Sequence, residues 1–262
     1  MSSNLSKKVS KRFQHYKTID LRAKILYTII LCGWVIAAFF ASQITISFLS
    51  QALGLSKDNT ENLVLLQLTI TAIAYVFSAI FVIGIPWALG WQLQKQIRSR
   101  LGINKKPIFD DTWRALLGYG VYFFLTISAT LLISIIWKSL QLDEQQNVGF
   151  GNLSQLNEYI MAFIALAIIP PIAEELLFRG YLFGELRQKI SFIPSMILTS
   201  LIFAIVHLQL NVGIDVFCLS LVLCYLREKT GAIWAGVLLH MIKNSIAFYL
   251  IFVRPELLQM LR

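Results

Sequence analysis

Charged residues are scarce in this 262-residue chain, at 14% of the sequence against 57% hydrophobic residues. A soluble domain of this length needs more polar surface to cover its core, so a large soluble helical protein fits poorly. Cysteine is also rare, with three residues in the chain. Cys32, Cys218 and Cys224 lie inside apolar runs and form no CxxC pair. We therefore expect small buried side chains, not a disulfide framework or a redox site.

Long apolar runs are what the sequence has instead. They recur at about the twenty-residue length that a helix needs to cross a bilayer. The runs are continuous rather than alternating, which favours helices over a β-barrel, and the first is too long for a cleaved signal peptide. The predicted fold is all-α, a polytopic transmembrane helical bundle of about seven or eight helices. The seven predicted segments are 25–53, 62–90, 114–137, 157–190, 194–209, 213–226 and 231–253.

Four of these segments are irregular or short. Gly84 and Pro86 predict a kink in the second segment, because a proline removes a backbone donor from the helix. Pro170 and Pro171 predict a break in the hydrogen-bond ladder of the fourth segment, which redirects that helix. The fifth and sixth segments are only about two-thirds of a normal span, so we expect short helices there.

The net charge of +9 could indicate nucleic-acid binding, but the placement of the charges argues against it. Lysine and arginine collect in alternate gaps between the segments, as the positive-inside rule predicts. The basic gaps hold Lys7, Lys8, Lys11, Arg12, Lys17, Arg22 and Lys24, then Lys95, Arg98, Arg100, Lys105, Lys106 and Arg114, then Arg187 and Lys189, and finally Arg227 and Lys229. We predict a multi-pass protein of a bacterial cell membrane or an organelle membrane, with a cytoplasmic N-terminus and the lipid bilayer, not nucleic acid, as partner.

Ionisable residues inside membrane spans are costly, and they are usually functional or paired. Glu175 and Arg179 are four residues apart, so they share a helix face and can form a salt bridge. Glu174 points about 100° away from Glu175, so it lacks that partner and is available for chemistry. Phe203 with His207, and His240 with Asn244, also have the four-residue spacing that places two side chains on one face.

A depth argument brings these helices together. If the chain turns at Ser191–Pro194, Glu174 and His207 both lie about 25 Å from the turn, at the same level. His240 and Asn244 reach about 14 and 20 Å along the last helix, which starts on the same side. A glutamate shielded from bulk water can act as general base towards a bound water, and a neutral histidine can orient that water. A second histidine and an asparagine amide can stabilise the negative charge that forms on a peptide carbonyl.

Three short motifs occur in order along these helices. The run Glu174-Glu175-Leu176-Leu177-Phe178-Arg179 fits the pattern EExxxR, residues 203–207 fit FxxxH, and residues 240–244 fit HxxxN. The chain thereby resembles the CPBP family of CaaX proteases and bacteriocin-processing enzymes, which includes type II CaaX prenyl endopeptidases and Abi-domain proteins. The resemblance predicts three parts: a basic tail with three lead-in helices at 1–157, a catalytic core at 158–253 and a short tail at 254–262.

The resemblance implies a glutamate-dependent intramembrane endopeptidase without a cofactor. In it, Glu174 and His207 activate water, while His240 and Asn244 stabilise the oxyanion. The substrate is a membrane-associated protein or peptide, and a prenylated CaaX protein is one option. The residues expected to support the site are Glu175, Arg179 and Phe203.

Two alternatives stay open. A zinc ion held by Glu174, His207 and His240 would serve the same reaction, although no HExxH motif is present. The polar cluster could also bind a peptide or lipid without turnover, in a membrane scaffold or an immunity factor. Hydrolysis requires Glu174 chemically, whereas binding could survive a Glu174→Gln substitution.

Overall fold

The computed structural model describes residues 21–53, 63–90, 97–137, 150 and 153–260, and within these ranges the chain is helical without strands. Nine helices, numbered in chain order, make up the described part. They are α1 (Leu21–Ala52), α2 (Leu63–Ala88), α3 (Ile97–Arg100), α4 (Phe109–Ile136), α5 (Leu156–Leu186), α6 (Phe192–Ile205), α7 (Leu210–Thr230), α8 (Trp234–Val253) and α9 (Pro255–Met260).

The predicted multi-pass membrane bundle is confirmed. Among the described residues, six helices are long and apolar enough to span a bilayer, and α6 is a shorter apolar helix of 14 residues. The prediction of a short sixth segment is wrong, because α7 has 21 residues. That helix continues through the polar stretch Arg227–Thr230 and stops at Gly231, whose φ of 69° is a left-handed conformation that glycine adopts at low cost. The basic tail at 1–20 lies outside the described residues.

The membrane helix α5 is irregular but continuous. Its first turn is capped by Glu158, whose carboxylate accepts hydrogen bonds from the backbone amides of Ser154 (2.7 Å) and Gln155 (3.0 Å). The predicted break in the hydrogen-bond ladder at Pro170-Pro171 does not end the helix. Instead, the helix widens into π-helical turns at Ile164–Ile168 and Glu175–Leu182, on either side of an α-helical turn that contains both prolines. The wider turns let the helix continue although the two prolines have no backbone N–H group to donate.

A similar feature marks α2, where a π-helical turn at Ile80–Gly84 precedes Pro86 and coincides with the predicted kink. Upstream of it, α2 is joined to α1 by polar side chains in an apolar setting. The hydroxyl groups of Ser42 and Ser78 are 2.7 Å apart and fully buried. Such hydrogen bonds between small polar residues allow two membrane helices to approach closely.

The buried apolar side chains form two clusters. The first joins α1, α2, α5 and α6 and includes Val35, Val82 and Phe178. The second joins α4, α7 and α8 and includes Leu219 and Leu239. Polar contacts between α5 and α8 connect helices of different clusters, and the predicted site residues of those helices lie there.

Candidate active site

The Glu175–Arg179 ion pair expected from the four-residue spacing is present. Arg179 Nη1 lies 3.0 Å from Glu175 Oε1, and both side chains are completely buried. The guanidinium carbon of Arg179 is 4.3 Å from the centroid of the Phe203 ring, a cation–π contact from α6. The pair therefore fixes α5 against α6 at the level of the site.

Glu175 also has a second partner that the spacing did not predict. Its Oε1 atom lies 3.1 Å from Nδ1 of His240 on α8. Because an ionised carboxylate only accepts hydrogen bonds, Nδ1 is the donor, and Nε2 of the ring points the other way. Nε2 lies 3.8 Å from Oε2 of Glu174. Glu175 thus orients the histidine that stands beside Glu174.

A glycine makes this approach of α8 to α5 possible. Gly236 lies one helical turn before His240, and a Cβ atom at this position would stand 2.9 Å from Glu175 Oε2. That distance is shorter than a carbon and a non-bonded oxygen tolerate, so only glycine fits without a shift of the carboxylate. Close packing here brings the His240 ring within reach of both glutamates.

His207 lies just after α6 and has a defined orientation. Its Nδ1 is 2.7 Å from the carbonyl oxygen of Phe203, which can only accept, so Nδ1 donates. In the neutral ring Nε2 is then an acceptor, as a water-orienting histidine requires. The Phe203 ring packs edge-on against His207 and His240, with centroid distances of 4.9 and 6.0 Å. His207 is also within electrostatic range of Glu174.

Asn244 forms a hydrogen bond between helices. Its Nδ2 donates to the carbonyl oxygen of Leu166 at 3.0 Å. In an α-helix that carbonyl would accept from residue 170, and in a π-helical turn from residue 171, but both are prolines without an N–H group. Asn244 therefore satisfies a carbonyl that Pro170 and Pro171 leave without a donor. One amide hydrogen is used in this way, and the oxyanion role of Asn244 stays a prediction.

One polar contact of Glu174 comes from a helix without any motif. The hydroxyl group of Tyr75, on α2, donates a hydrogen bond to Glu174 Oε1. A tyrosine in the middle of an apolar span needs a polar partner for its hydroxyl group. The sequence therefore signals that Tyr75 has a partner but not which one, and our sequence reasoning missed it.

A second polar group on α8 is centred on Lys243. Lys243 Nζ is 3.1 Å from Asp215 Oδ2, and the Tyr122 hydroxyl donates to Asp215 Oδ1 at 2.6 Å. Asp215 accordingly neutralises the lysine that stands between His240 and Asn244 in the sequence. Lys243 is close enough to His207 to interact with it electrostatically.

The zinc alternative can be compared with this geometry. Within the described ranges, no three His, Cys, Asp or Glu side chains gather in a way that could hold a metal ion. His240 has Nδ1 engaged by Glu175, and its Nε2 is 3.8 Å from Glu174 Oε2. The described residues therefore hold no preformed set of three zinc ligands, and the metal-free reaction stays a prediction.

Comparisons with known proteins support a family assignment for the second half of the chain. Residues 156–246 match the family model "Type II CAAX prenyl endopeptidase Rce1-like". The membrane protein YdiL of Bacillus subtilis (strain 168) is 31% identical over 85 residues, which cover 32% of this chain and 35% of YdiL. The membrane-embedded CAAX protease MroQ of Staphylococcus aureus (strain USA300) is 23% identical over 197 residues, 72% of this chain and 78% of MroQ.

A third relative is the UPF0177 protein YxdF of Lactococcus lactis subsp. lactis (strain IL1403), 33% identical over 116 residues, 42% of this chain and 62% of YxdF. The chain thus spans about a third of the length of YdiL and less than two-thirds of YxdF. No solved structure matches the chain. The family match covers the segment that carries Glu174, His207 and His240, and this segment is similar to type II CAAX prenyl endopeptidases.

Proposed function

We propose that this chain is an intramembrane endopeptidase that hydrolyses a membrane-associated protein or peptide with water activated by Glu174. The observation that carries the proposal is the setting of Glu174 inside the family-matched segment. The residue is buried at 8% exposure, one carboxylate oxygen accepts from Tyr75, and the other faces His240 Nε2 at 3.8 Å. A buried carboxylate with one oxygen left for a water molecule suits a general base.

The proposed reaction uses four side chains. Glu174 Oε2 takes a proton from water, whose position Nε2 of His207 sets by accepting a hydrogen bond from it. The water oxygen bonds to the peptide carbonyl carbon, and the carbonyl oxygen becomes an oxyanion. His240, with both ring nitrogens protonated, donates from Nε2 to that oxyanion, and Asn244 donates its second amide hydrogen. The C–N bond then breaks as Glu174 returns the proton to the leaving amine.

Glu175, Arg179 and Phe203 hold these groups in place. Glu175 donates nothing itself but fixes Nδ1 of His240, and Arg179 neutralises the Glu175 carboxylate. Phe203 supports both histidine rings and contacts the guanidinium. The reaction is proposed without a metal, because the residues that would bind zinc do not assemble as a ligand set among the described residues.

Clustered basic residues at one end of the bundle support the proposed orientation of the chain in the membrane. The second, fourth and sixth gaps between the predicted segments meet at this end, and a basic residue makes each contact between them. Arg227 donates to the Arg100 carbonyl at 2.9 Å, Arg187 pairs with Glu228 at 2.9 Å, and Lys105 donates to the Thr230 carbonyl at 2.6 Å. Under the positive-inside rule this end is cytoplasmic, which supports a cytoplasmic N-terminus in a bacterial cell membrane or an organelle membrane.

The test is a peptide-library digest with the protein reconstituted in lipid, with and without a chelator. We expect cleavage by the wild type in both conditions and a loss of about 10²- to 10⁴-fold in Glu174→Gln, the contribution typical of a general base. His207→Ala should be similarly impaired, while Glu158→Gln, which alters a capping glutamate on the same helix, should cleave normally.

Each alternative has its own outcome. Undiminished cleavage by Glu174→Gln and His207→Ala contradicts the site. Loss with chelator and recovery with zinc contradict the metal-free reaction. A wild type that binds library peptides tightly and cleaves none supports the non-catalytic scaffold or immunity factor.

A further inference from the structure

We propose that Tyr75 is a positioning residue for Glu174: its hydroxyl group fixes which carboxylate oxygen faces the reacting water. The inference deepens the proposed function and rests on it for the role of Glu174. It also assigns a task at the site to α2, which lies outside the family-matched residues 156–246.

The Tyr75 hydroxyl contacts one particular oxygen of Glu174. Tyr75 lies in the α-helical part of α2, Leu63–Ala79, and its hydroxyl donates to Oε1 of Glu174 across 99 residues of sequence. Oε2 is the oxygen on the side of His240. With the phenol bound to Oε1, Oε2 is the oxygen of Glu174 that is left without a hydrogen-bond donor in the described part of the chain and can face the reacting water.

Glu174 has few other hydrogen-bond donors near it. Among the described residues, no other side chain donates a hydrogen bond to Glu174 at normal distance, and His240 Nε2 stays at 3.8 Å. Arg179, the nearest buried cation on α5, is committed to Glu175. Removing a carboxylate from bulk water favours its neutral form, whereas a donor to the carboxylate favours the charged form. Tyr75 supplies that donor, and a general base has to be ionised before it can act.

Contacts with α1 hold α2 firmly enough for it to position a side chain. Ser78, one turn after Tyr75, is fully buried and shares a 2.7 Å hydrogen bond with Ser42 of α1. Trp34 of α1 donates to the Val82 carbonyl at 3.2 Å, in the π-helical turn of α2. These contacts fix the height of α2, and hence the height of the Tyr75 hydroxyl beside α5.

The chain offers a matched control for the loss of such a hydroxyl. Tyr27 on α1 donates to Glu185 Oε2 at 3.0 Å, also between two helices and also to a glutamate of α5. Glu185 has in addition a salt bridge to Arg100 at 3.1 Å and lies far along α5 from the site. Tyr27→Phe therefore removes the same atom from the same type of contact without touching Glu174.

The direct test needs no substrate. The infrared band of the protonated Glu174 carboxyl group is measured as a function of pH in lipid for the wild type, Tyr75→Phe and Tyr27→Phe. The band is assigned to Glu174 because it is absent from the spectrum of Glu174→Gln. We expect the band to grow in at higher pH in Tyr75→Phe, by about one pH unit or more, the shift that losing a hydrogen bond to a charged group corresponds to. Tyr27→Phe should titrate like the wild type. Coincident titrations of Tyr75→Phe and the wild type overturn the inference.

Cleavage of a library peptide supplies a second readout. In Tyr75→Phe we expect kcat to fall about tenfold or more with little change in KM, and the acid limb of the pH profile to move to higher pH. A loss of activity that tracks unfolding, with an unshifted acid limb, shows a merely structural tyrosine and contradicts the proposal.

If Tyr75→Phe does not fold, 3-fluorotyrosine incorporated at position 75 decides the question. Its phenol is a stronger donor of unchanged shape, so the infrared band and the acid limb should both move to lower pH, and unmoved values overturn the inference. Cleavage that survives in Glu174→Gln contradicts the proposed function instead. Lost cleavage in Glu174→Gln with a wild-type titration in Tyr75→Phe contradicts only the role of Tyr75.

Discussion

Replacing Arg179 by methionine should be among the most destabilising single changes in this chain. The substitution keeps an unbranched side chain of similar length but removes the cation that neutralises Glu175. Both side chains are completely buried and their charged atoms are 3.0 Å apart. Breaking a buried ion pair from one side leaves an uncompensated charge and costs about 3–5 kcal/mol. The cation–π contact with Phe203 at 4.3 Å is lost as well.

The second half of this prediction is a partial rescue. The double variant Arg179→Met, Glu175→Gln lacks both charges. The glutamine keeps an oxygen that can accept a hydrogen bond from His240 Nδ1, which in the wild type lies 3.1 Å from the Glu175 carboxylate. Because a buried ion pair gains little over neutral side chains of similar volume, the double variant should recover most of the loss, to within about 1–2 kcal/mol of the wild type.

The assay is reversible unfolding in mixed micelles, with tryptophan fluorescence as the signal and the free energy of unfolding as the result. Arg254→Met, which breaks an exposed ion pair with Glu256 at 2.9 Å, serves as the control and should leave the free energy of unfolding unchanged within error. A loss below about 1 kcal/mol in Arg179→Met, or a double variant as unstable as the single one, refutes the reasoning.

Two further predictions concern close packing and the proline pair. Gly236→Ala places a Cβ atom 2.9 Å from Glu175 Oε2 and should cost about 1–3 kcal/mol and reduce cleavage, whereas Gly120→Ala, with nothing within 4 Å of the added atom, should be neutral or slightly stabilising in the same unfolding assay. Equal effects of the two substitutions contradict the packing argument. Asn244→Ala leaves the Leu166 carbonyl without a donor and should cost about 1–3 kcal/mol of unfolding free energy. An unchanged stability shows that another group satisfies that carbonyl.

The membrane segments could be predicted because the cost of exposing charge to lipid acts on long runs of sequence. The end of α7 was misjudged for the same reason: Arg227 and Glu228 interrupt the apolar run, but charged residues at a membrane interface continue a helix well. Gly231, not the first charge, ends it. The π-helical turns around Pro170 were not predictable, because they depend on where the orphaned carbonyls find donors on other helices.

The site could be predicted in part because helical spacing places side chains on faces. The Glu175–Arg179 ion pair follows from a four-residue spacing within one helix, and the structure contains it. The bond from Glu175 to His240 spans 65 residues and depends on the close approach at Gly236, which no local pattern encodes. The contact of Tyr75 with Glu174 could not be predicted either, because the two residues lie on different helices and a motif search compares only residues within one helix.

The central claim is that Glu174 performs the chemical step, and single-turnover cleavage by Glu174→Gln tests it most directly. A cleavable peptide is bound to excess protein in lipid vesicles, and its affinity and its rate of cleavage are measured separately for wild type and variant. Our account predicts an affinity within about threefold of the wild type and a cleavage rate lower by about 10²-fold or more, because a general base acts on the transition state and not on binding. A Glu174→Gln variant that cleaves bound peptide within about tenfold of the wild-type rate would contradict it.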